Sequence, residues 1–370
     1  MGLEEEIDAL QEEIKSTPYN KATESHIGRL KSKLADKKEQ LDRQGGSGGG
    51  SGYAVEKTGD ATIALVGFPS VGKSTLINAL TNAESAVGAY EFTTLDVNPG
   101  MLAHQGANLQ ILDVPGLISG AAGGRGGGRE VLSVVRTADL VVFVLSVFKI
   151  EQYARLREEL YANKIRLDVE PPRVTISRTH KGGINLMTDG KTPLDESTIV
   201  EVLREQGVVN ADVTIRGAVD IDRLIDGIMR NRVYIPSVIA INKADLVDAS
   251  YRPTVTADLE AVGIDPDAPV YISAETGDGL DALKDRIWER LGFIRVYMDK
   301  PGRGVDREEP LVLRGEAASV GDAIETLGGA LAEKFRFARV TGPSAKHADQ
   351  QVGTDHTLAD GDVLRVVTRR

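Results

Sequence analysis

"GFPSVGKST", residues 67–75, follows the apolar run Ala61–Val66 and precedes a stretch of helical character at 74–82. A Gly-x-x-x-x-Gly-Lys-Ser turn between a strand and a helix can wrap an anion. Gly67 and Gly72 admit close backbone approach, so successive N–H groups can face phosphate oxygens. Lys73 adds a point charge suited to the β- and γ-phosphates, and the Ser74 hydroxyl suits Mg²⁺. Pro69, Ser70, Val71 and Thr75 complete the expected lining of the loop.

Outward from this turn, Asp113 ends the apolar run Leu109–Leu112, where it can hold Mg²⁺ through water. The Gly116 N–H, three residues on, can sense a γ-phosphate. Asn242-Lys243-Ala244-Asp245 ends a further run, Val238–Ile241. The Asp245 carboxylate can accept two hydrogen bonds from guanine N1–H and its exocyclic amine. Adenine would turn a lone pair toward the same carboxylate, so guanine is the expected base. Ser273-Ala274-Glu275 then offers a backbone N–H to guanine O6. Between the glycine loop and Asp113, Phe92, Thr93 and Thr94 fall in a switch segment that must supply a threonine to Mg²⁺. Thr93 and Thr94 are both candidates, with Thr94 favoured.

Strand-like runs at Ala61–Val66, Leu109–Leu112, Leu140–Leu145, Val238–Ile241 and Val270–Ile272 alternate with helical stretches. That order predicts a mostly parallel α/β sheet with both faces covered. From Asp113 to Asn242 the chain runs 129 residues. Two further strand–helix units need about 60 of these at ~30 each. The surplus predicts an inserted small α/β domain at 151–234. Residues 1–44 read as a helical hairpin broken near Thr17-Pro18, with an acidic first helix and a basic second. Residues 45–60 contain "GGSGGGSG" and read as a flexible linker. The sheet domain is then 61–150 with 235–294, and 295–370 suits a compact β-grasp domain.

The chain has 370 residues, 41% hydrophobic and 27% charged, and no cysteine. Disulfides, thiolate metal sites and thiol nucleophiles are thereby excluded. The acidic start and the lack of a long apolar run predict a cytoplasmic protein with no membrane partner. A net charge of −11 speaks against wholesale coating of nucleic acid, while leaving room for a local basic patch such as Arg173, Arg178, His180 and Lys181.

Together these motifs resemble the developmentally regulated GTP-binding protein (DRG) family within the Obg-like translation-associated GTPases. The marks are Gly67–Thr75, Phe92-Thr93-Thr94-Leu95, and Asp113-Val114-Pro115-Gly116-Leu117 with its glycine-rich tail. Residues 20–41 are similar to the family's N-terminal helical region, 335–367 to a TGS domain, and the insert to a ribosomal-protein-like element. The resemblance implies a P-loop GTPase domain with an N-terminal helical hairpin, an inserted small α/β domain and a C-terminal β-grasp TGS domain. It also implies hydrolysis of GTP to GDP, with Lys73, Thr94 and Gly116 catalytic and Mg²⁺ bound by Ser74, Thr94 and, through water, Asp113. K⁺ stimulation is implied too, but Ser70 stands where potassium-dependent relatives carry an asparagine. The expected partners are GTP, GDP and the ribosome, for a monomer, with a separate stabilising partner protein left open. Leu117 replaces a water-orienting glutamine, so unaided turnover should be slow, about 10⁻⁴ to 10⁻² per second. The alternative is a ribosome- or tRNA-binding module whose GTP hydrolysis is incidental.

Overall fold

The computed structural model describes residues 2–44, 58–81, 99–114, 127–300, 302–315 and 317–369, the side chains of 127–131 and 330 excepted. The chain divides into two compact units, residues 1–52 with 169–234 and residues 53–168 with 235–370.

The larger unit is built on a six-stranded sheet. Its order runs Val270–Tyr271, Ser237–Asn242, Leu140–Ser146, Ala61–Val66, Ala107–Asp113, Pro99–His104. All neighbours pair in parallel except the last, where Pro99–His104 folds back antiparallel on Ala107–Asp113. Ala61–Val66 is buried along its whole length, as expected of a central parallel strand covered on both faces. On one face Ile63, Leu65 and Val142 share a core with Leu76 and Leu80 of helix Lys73–Leu80 and with Leu283 and Ile287 of helix Leu280–Leu291. On the other, the fully buried Phe143 meets Tyr153 of helix Gln152–Ala162 edge-on, with ring centroids 5.0 Å apart. Among the described residues no helix is long and apolar enough to cross a membrane.

The same unit contains a second sheet, ordered Gly304–Arg314, Phe293–Lys300, Asp362–Thr368, Phe335–Thr341, Gln350–Val352. Helix Leu280–Leu291 ends at Gly292 in a left-handed conformation (φ 65°), and the next residue opens the new strand. Phe293 and Val312 therefore lie in the core of the first sheet rather than the second. Arg314 Nη1 also donates to Asp139 Oδ1 at 2.6 Å, while Asp139 Oδ2 accepts the Thr62 N–H. A single helix over 320–334 would suit the periodicity. Instead it breaks into Val320–Leu327 and Gly329–Lys334, because Gly328 adopts φ 116°, outside helical geometry.

The smaller unit corrects two boundaries read from sequence. Residues 151–168, assigned to the insert, belong with the six-stranded sheet, where Tyr153, Leu156 and Leu160 are buried. Residues 1–44, read as a region of their own, join 169–234 in one unit. Helix Leu3–Ser16 and helix Glu24–Gln44 form the hairpin, closed by Asn20 Oδ1, which accepts the N–H groups of Ala22 and Thr23. The second helix supplies Ile27 to a core with Ile199, Val202, Val213, Ile215, Leu224 and Ile225. Lys21 with Asp195, Lys31 with Asp222 and Gln206 with Ser32 Oγ tie the surfaces at 2.6–2.8 Å. The second helix thus packs on helices Glu196–Glu205 and Ile221–Met229, whose core also takes in a three-stranded sheet ordered Arg173–Arg178, Ala211–Arg216, Ile184–Thr188. The linker at 45–60 lies almost wholly outside the described residues.

Candidate functional site

Gly67 begins the turn after strand Ala61–Val66, and a Cβ there would stand 2.4 Å from the Val144 carbonyl oxygen. No larger residue fits. Ser70 and Gly72 both take positive φ (64° and 95°), which curls the loop. Gly72 caps helix Lys73–Leu80 without a side-chain hydrogen bond. The first N–H groups of that helix lack intrahelical acceptors, and with the helix dipole they suit an anion.

Lys73 Nζ donates to the carbonyls of Gly67 (2.9 Å) and Phe68 (3.4 Å). Burial pushes its ammonium below the usual lysine range, and Asp113, 3.9 Å away, partly offsets this. A half-buried cation with so little compensation favours an incoming anion. Ser74 Oγ donates to Asp113 Oδ2 at 3.0 Å. Asp113 Oδ1 is buried without a hydrogen-bond partner among the described residues. Buried carboxylate oxygens are rarely left so. A serine hydroxyl and a carboxylate with one oxygen free of hydrogen bonds are hard oxygen donors, so the residues present fit Mg²⁺.

Asn242 clasps the site together. It ends strand Ser237–Asn242 and is buried. Its Nδ2 donates to the Val71 carbonyl at 2.8 Å, and its Oδ1 accepts the Ala274 N–H at 2.9 Å. One amide therefore joins the glycine loop to the Ser273–Glu275 turn. Lys243, at φ 66°, adds a bond from Nζ to the Ser70 carbonyl at 2.9 Å. Ser273 is buried and its Oγ accepts the Thr276 N–H, which shapes the turn. Asp245 is exposed and makes no hydrogen bond among the described residues, leaving both oxygens able to accept.

The structure thus gathers Gly67, Pro69, Ser70, Val71, Gly72, Lys73, Ser74, Thr75, Asp113, Asn242, Lys243, Asp245, Ser273, Ala274 and Glu275 at the carboxyl ends of the parallel strands. The strand order reverses beside Ala61–Val66, which is where open α/β sheets bind ligands. Phe92, Thr93, Thr94, Gly116 and Leu117 lie outside the described residues. Sequence reasoning assigned Asn242 and Lys243 to the nucleotide but missed their bonds to the glycine loop. The left-handed turns that make those bonds leave no signal in the residue types of Ser70 and Lys243. Arg173, Arg178, His180 and Lys181 are exposed in the smaller unit, Arg173 paired with Glu170 and Arg178 bonded to the Gly207 carbonyl.

Residues 62–177 match the family described as "50S ribosome-binding GTPase", residues 181–293 the C-terminal region of that domain, and residues 294–368 the TGS domain. An uncharacterized GTP-binding protein of Halobacterium salinarum is 65% identical, over 100% of both chains. One of Methanocaldococcus jannaschii is 50% identical over 100% of this chain and 94% of its own. The developmentally-regulated GTP-binding protein 1 homolog of Dictyostelium discoideum is 40% identical over 100% of both. With the glycine loop, its Asn242 clasp and a free Asp245 at one end of a parallel sheet, this chain belongs to the developmentally-regulated GTP-binding proteins, P-loop GTPases that carry a C-terminal TGS domain.

Proposed function

We propose that the protein hydrolyses GTP to GDP with Mg²⁺, is stimulated by K⁺, and serves as a ribosome-associated translation factor. The observation that supports this reading is the pair of hydrogen bonds made by Asn242, from its Nδ2 to the Val71 carbonyl and to its Oδ1 from the Ala274 N–H, which join the glycine loop to the Ser273–Glu275 turn. Lys73 and the loop N–H groups hold the phosphates and offset the charge that spreads over the transferring phosphoryl group. Ser74, Thr94 and, through water, Asp113 would hold Mg²⁺, which when bound neutralises phosphate charge. The Gly116 N–H would meet the γ-phosphate, and Asp245 would select guanine. For K⁺ the nominated ligand is the Ser70 hydroxyl, since the Ser70 carbonyl is engaged by Lys243.

The ribosome assignment is supported by the match of residues 62–177 to a ribosome-binding GTPase family and by the TGS domain. A membrane partner is not part of the proposal; the protein works as a cytoplasmic monomer, with a stabilising partner protein left as an addition. GTP turnover measured with and without ribosomes, in K⁺ and in Na⁺, tests the whole statement. Ribosomes and K⁺ should each raise a slow basal rate, and the protein should co-sediment with ribosomes more in a GTP analogue than in GDP. Equal rates in all four conditions contradict it. Should Lys73→Ala abolish turnover yet leave translation unchanged, the protein is instead a binding module.

A further inference from the structure

Strand Pro99–His104 lies at the edge of the six-stranded sheet and pairs there with Ala107–Asp113. It begins five residues after Thr94, and its partner ends at Asp113, three residues before Gly116. The two segments assigned to Mg²⁺ and the γ-phosphate are therefore continuous in sequence with one hairpin. Ladder bonds alone leave an edge strand free to slip, and a slip of two residues keeps every side chain on its face. Such a slip would carry the chain leading to Thr94 about 7 Å along the strand.

The far end of the hairpin is held from outside. His104 pairs with Ala107, which leaves Gln105 and Gly106 as a two-residue turn with φ of 51° and 91°. Two positive φ values suit a tight hairpin, but they disfavour glutamine where they cost glycine little. Asp285 of helix Leu280–Leu291 supports the glutamine. Its Oδ1 accepts from Gln105 Nε2 at 3.2 Å and lies 3.0 Å from His104 Nε2, whose ring meets Trp288 edge-on. On the TGS side, a Cβ on Gly106 would stand 2.5 Å from Pro310 Cγ.

Pro310 closes a bulge. Met298 pairs with Asp306 and Val296 with Leu311, so residues 307–310 stand opposite Tyr297 alone. Asp306 Oδ1 shapes the bulge by accepting the N–H groups of Glu308 and Glu309 at 3.2 Å. The opposite end of strand Pro99–His104 is equally close to its neighbour. A Cβ on Gly100 would stand 2.6 Å from Cγ2 of Thr81, the C-cap of helix Lys73–Leu80.

We propose that Gln105, Gly106, Asp285 and the Pro310 bulge of the TGS domain are positioning residues for GTP. They fix the hairpin's register and, through it, the reach of Thr94 and Gly116 toward Mg²⁺ and the γ-phosphate. The inference rests on the GTPase reading above. A hairpin held in place beforehand leaves less chain to be ordered when the triphosphate binds. GDP has no γ-phosphate and draws mainly on the glycine loop and the Ser273–Glu275 turn.

The test compares fluorescent GDP with a fluorescent non-hydrolysable GTP analogue on the full chain and on Asp285→Ala, Pro310→Ala and Asp285→Asn. The Asp285 side chain is 59% exposed, so its replacement leaves the core intact. Each alanine variant should weaken the GTP analogue about three- to tenfold and GDP by less than about twofold. Asp285→Asn keeps an oxygen acceptor and should recover most of the loss. Equal losses for the two nucleotides would show a purely structural contact and overturn the proposal, as would no loss at all. A parent that binds neither nucleotide removes the GTPase reading and this inference with it. A parent that binds both, with variants of unchanged preference, removes the inference alone.

Discussion

Asn242 joins two loops with one side chain, and its loss has a consequence that can be sized. Asn242→Ala leaves the Val71 carbonyl and the buried Ala274 N–H without their partners. An unsatisfied buried group costs about 1–3 kcal/mol, so with two such groups the variant should lose roughly 2–6 kcal/mol of stability in a denaturant melt. Affinity for a fluorescent GDP analogue should fall at least about tenfold, because both loops must be placed before nucleotide binds. Gly72→Ala should be as damaging. Its φ of 95° strains any side chain, and its Cβ would sit 2.4 Å from Asn242 Nδ2. Much of this site is legible in the sequence, because Lys73, Ser74, Asp113 and Asp245 each sit at a fixed offset from the end of an apolar strand. The clasp itself is not legible: it depends on backbone turns at Ser70, Gly72 and Lys243, of which only the glycine announces itself.

At the scale of elements, helix Glu24–Gln44 lies so close to helix Glu196–Glu205 that a Cβ on Gly28 would stand 2.9 Å from Val202 Cγ2. Gly28→Leu should therefore cost about 1–3 kcal/mol by overpacking, read as an earlier unfolding transition, although leucine is the better helix former. In the TGS domain, Asp360 accepts from the Arg295 backbone N–H, Nε and Nη2 at 2.6–3.0 Å. That arginine holds the Asp360 carboxyl below the usual carboxylate range. Its contribution is complete above the unfolded value of about 3.9 and is lost as pH falls through the lower folded value. Both side chains are a third or more exposed, so screening limits the effect to about 1 kcal/mol. Asp360→Asn should lower the melting temperature near neutral pH, and the gap from the parent should close in strong acid. The parallel strands read directly from their continuous apolar runs. Pro99–His104 and Gly304–Arg314 did not, being edge strands of mixed burial.

For the molecule as a whole, the order of motifs reveals a GTPase sheet, an insert and a terminal β-grasp domain. What it conceals is which distant segments share a core. The apolar stripe of residues 24–44 looked self-sufficient as half of a hairpin, yet Ile27 completes the core of the insert. Tyr297 and Phe337, far apart in the sequence, fall on one sheet face only through strand register. A chain joining residues 2–44 to 169–234 through a Gly/Ser linker should melt in one cooperative transition by circular dichroism. Residues 169–234 alone should not. In the proposed function, Asp245 chooses the purine by hydrogen-bond polarity. Competition of GDP, ADP and XDP against a fluorescent guanine nucleotide, with the parent and with Asp245→Asn, tests it most directly. GDP should displace the probe from the parent at least about a hundredfold better than ADP. In the variant, the amide N–H should favour the C2 carbonyl of xanthine and weaken GDP by a similar factor. ADP competing as well as GDP in the parent, or a variant with an unchanged base preference, would contradict the account.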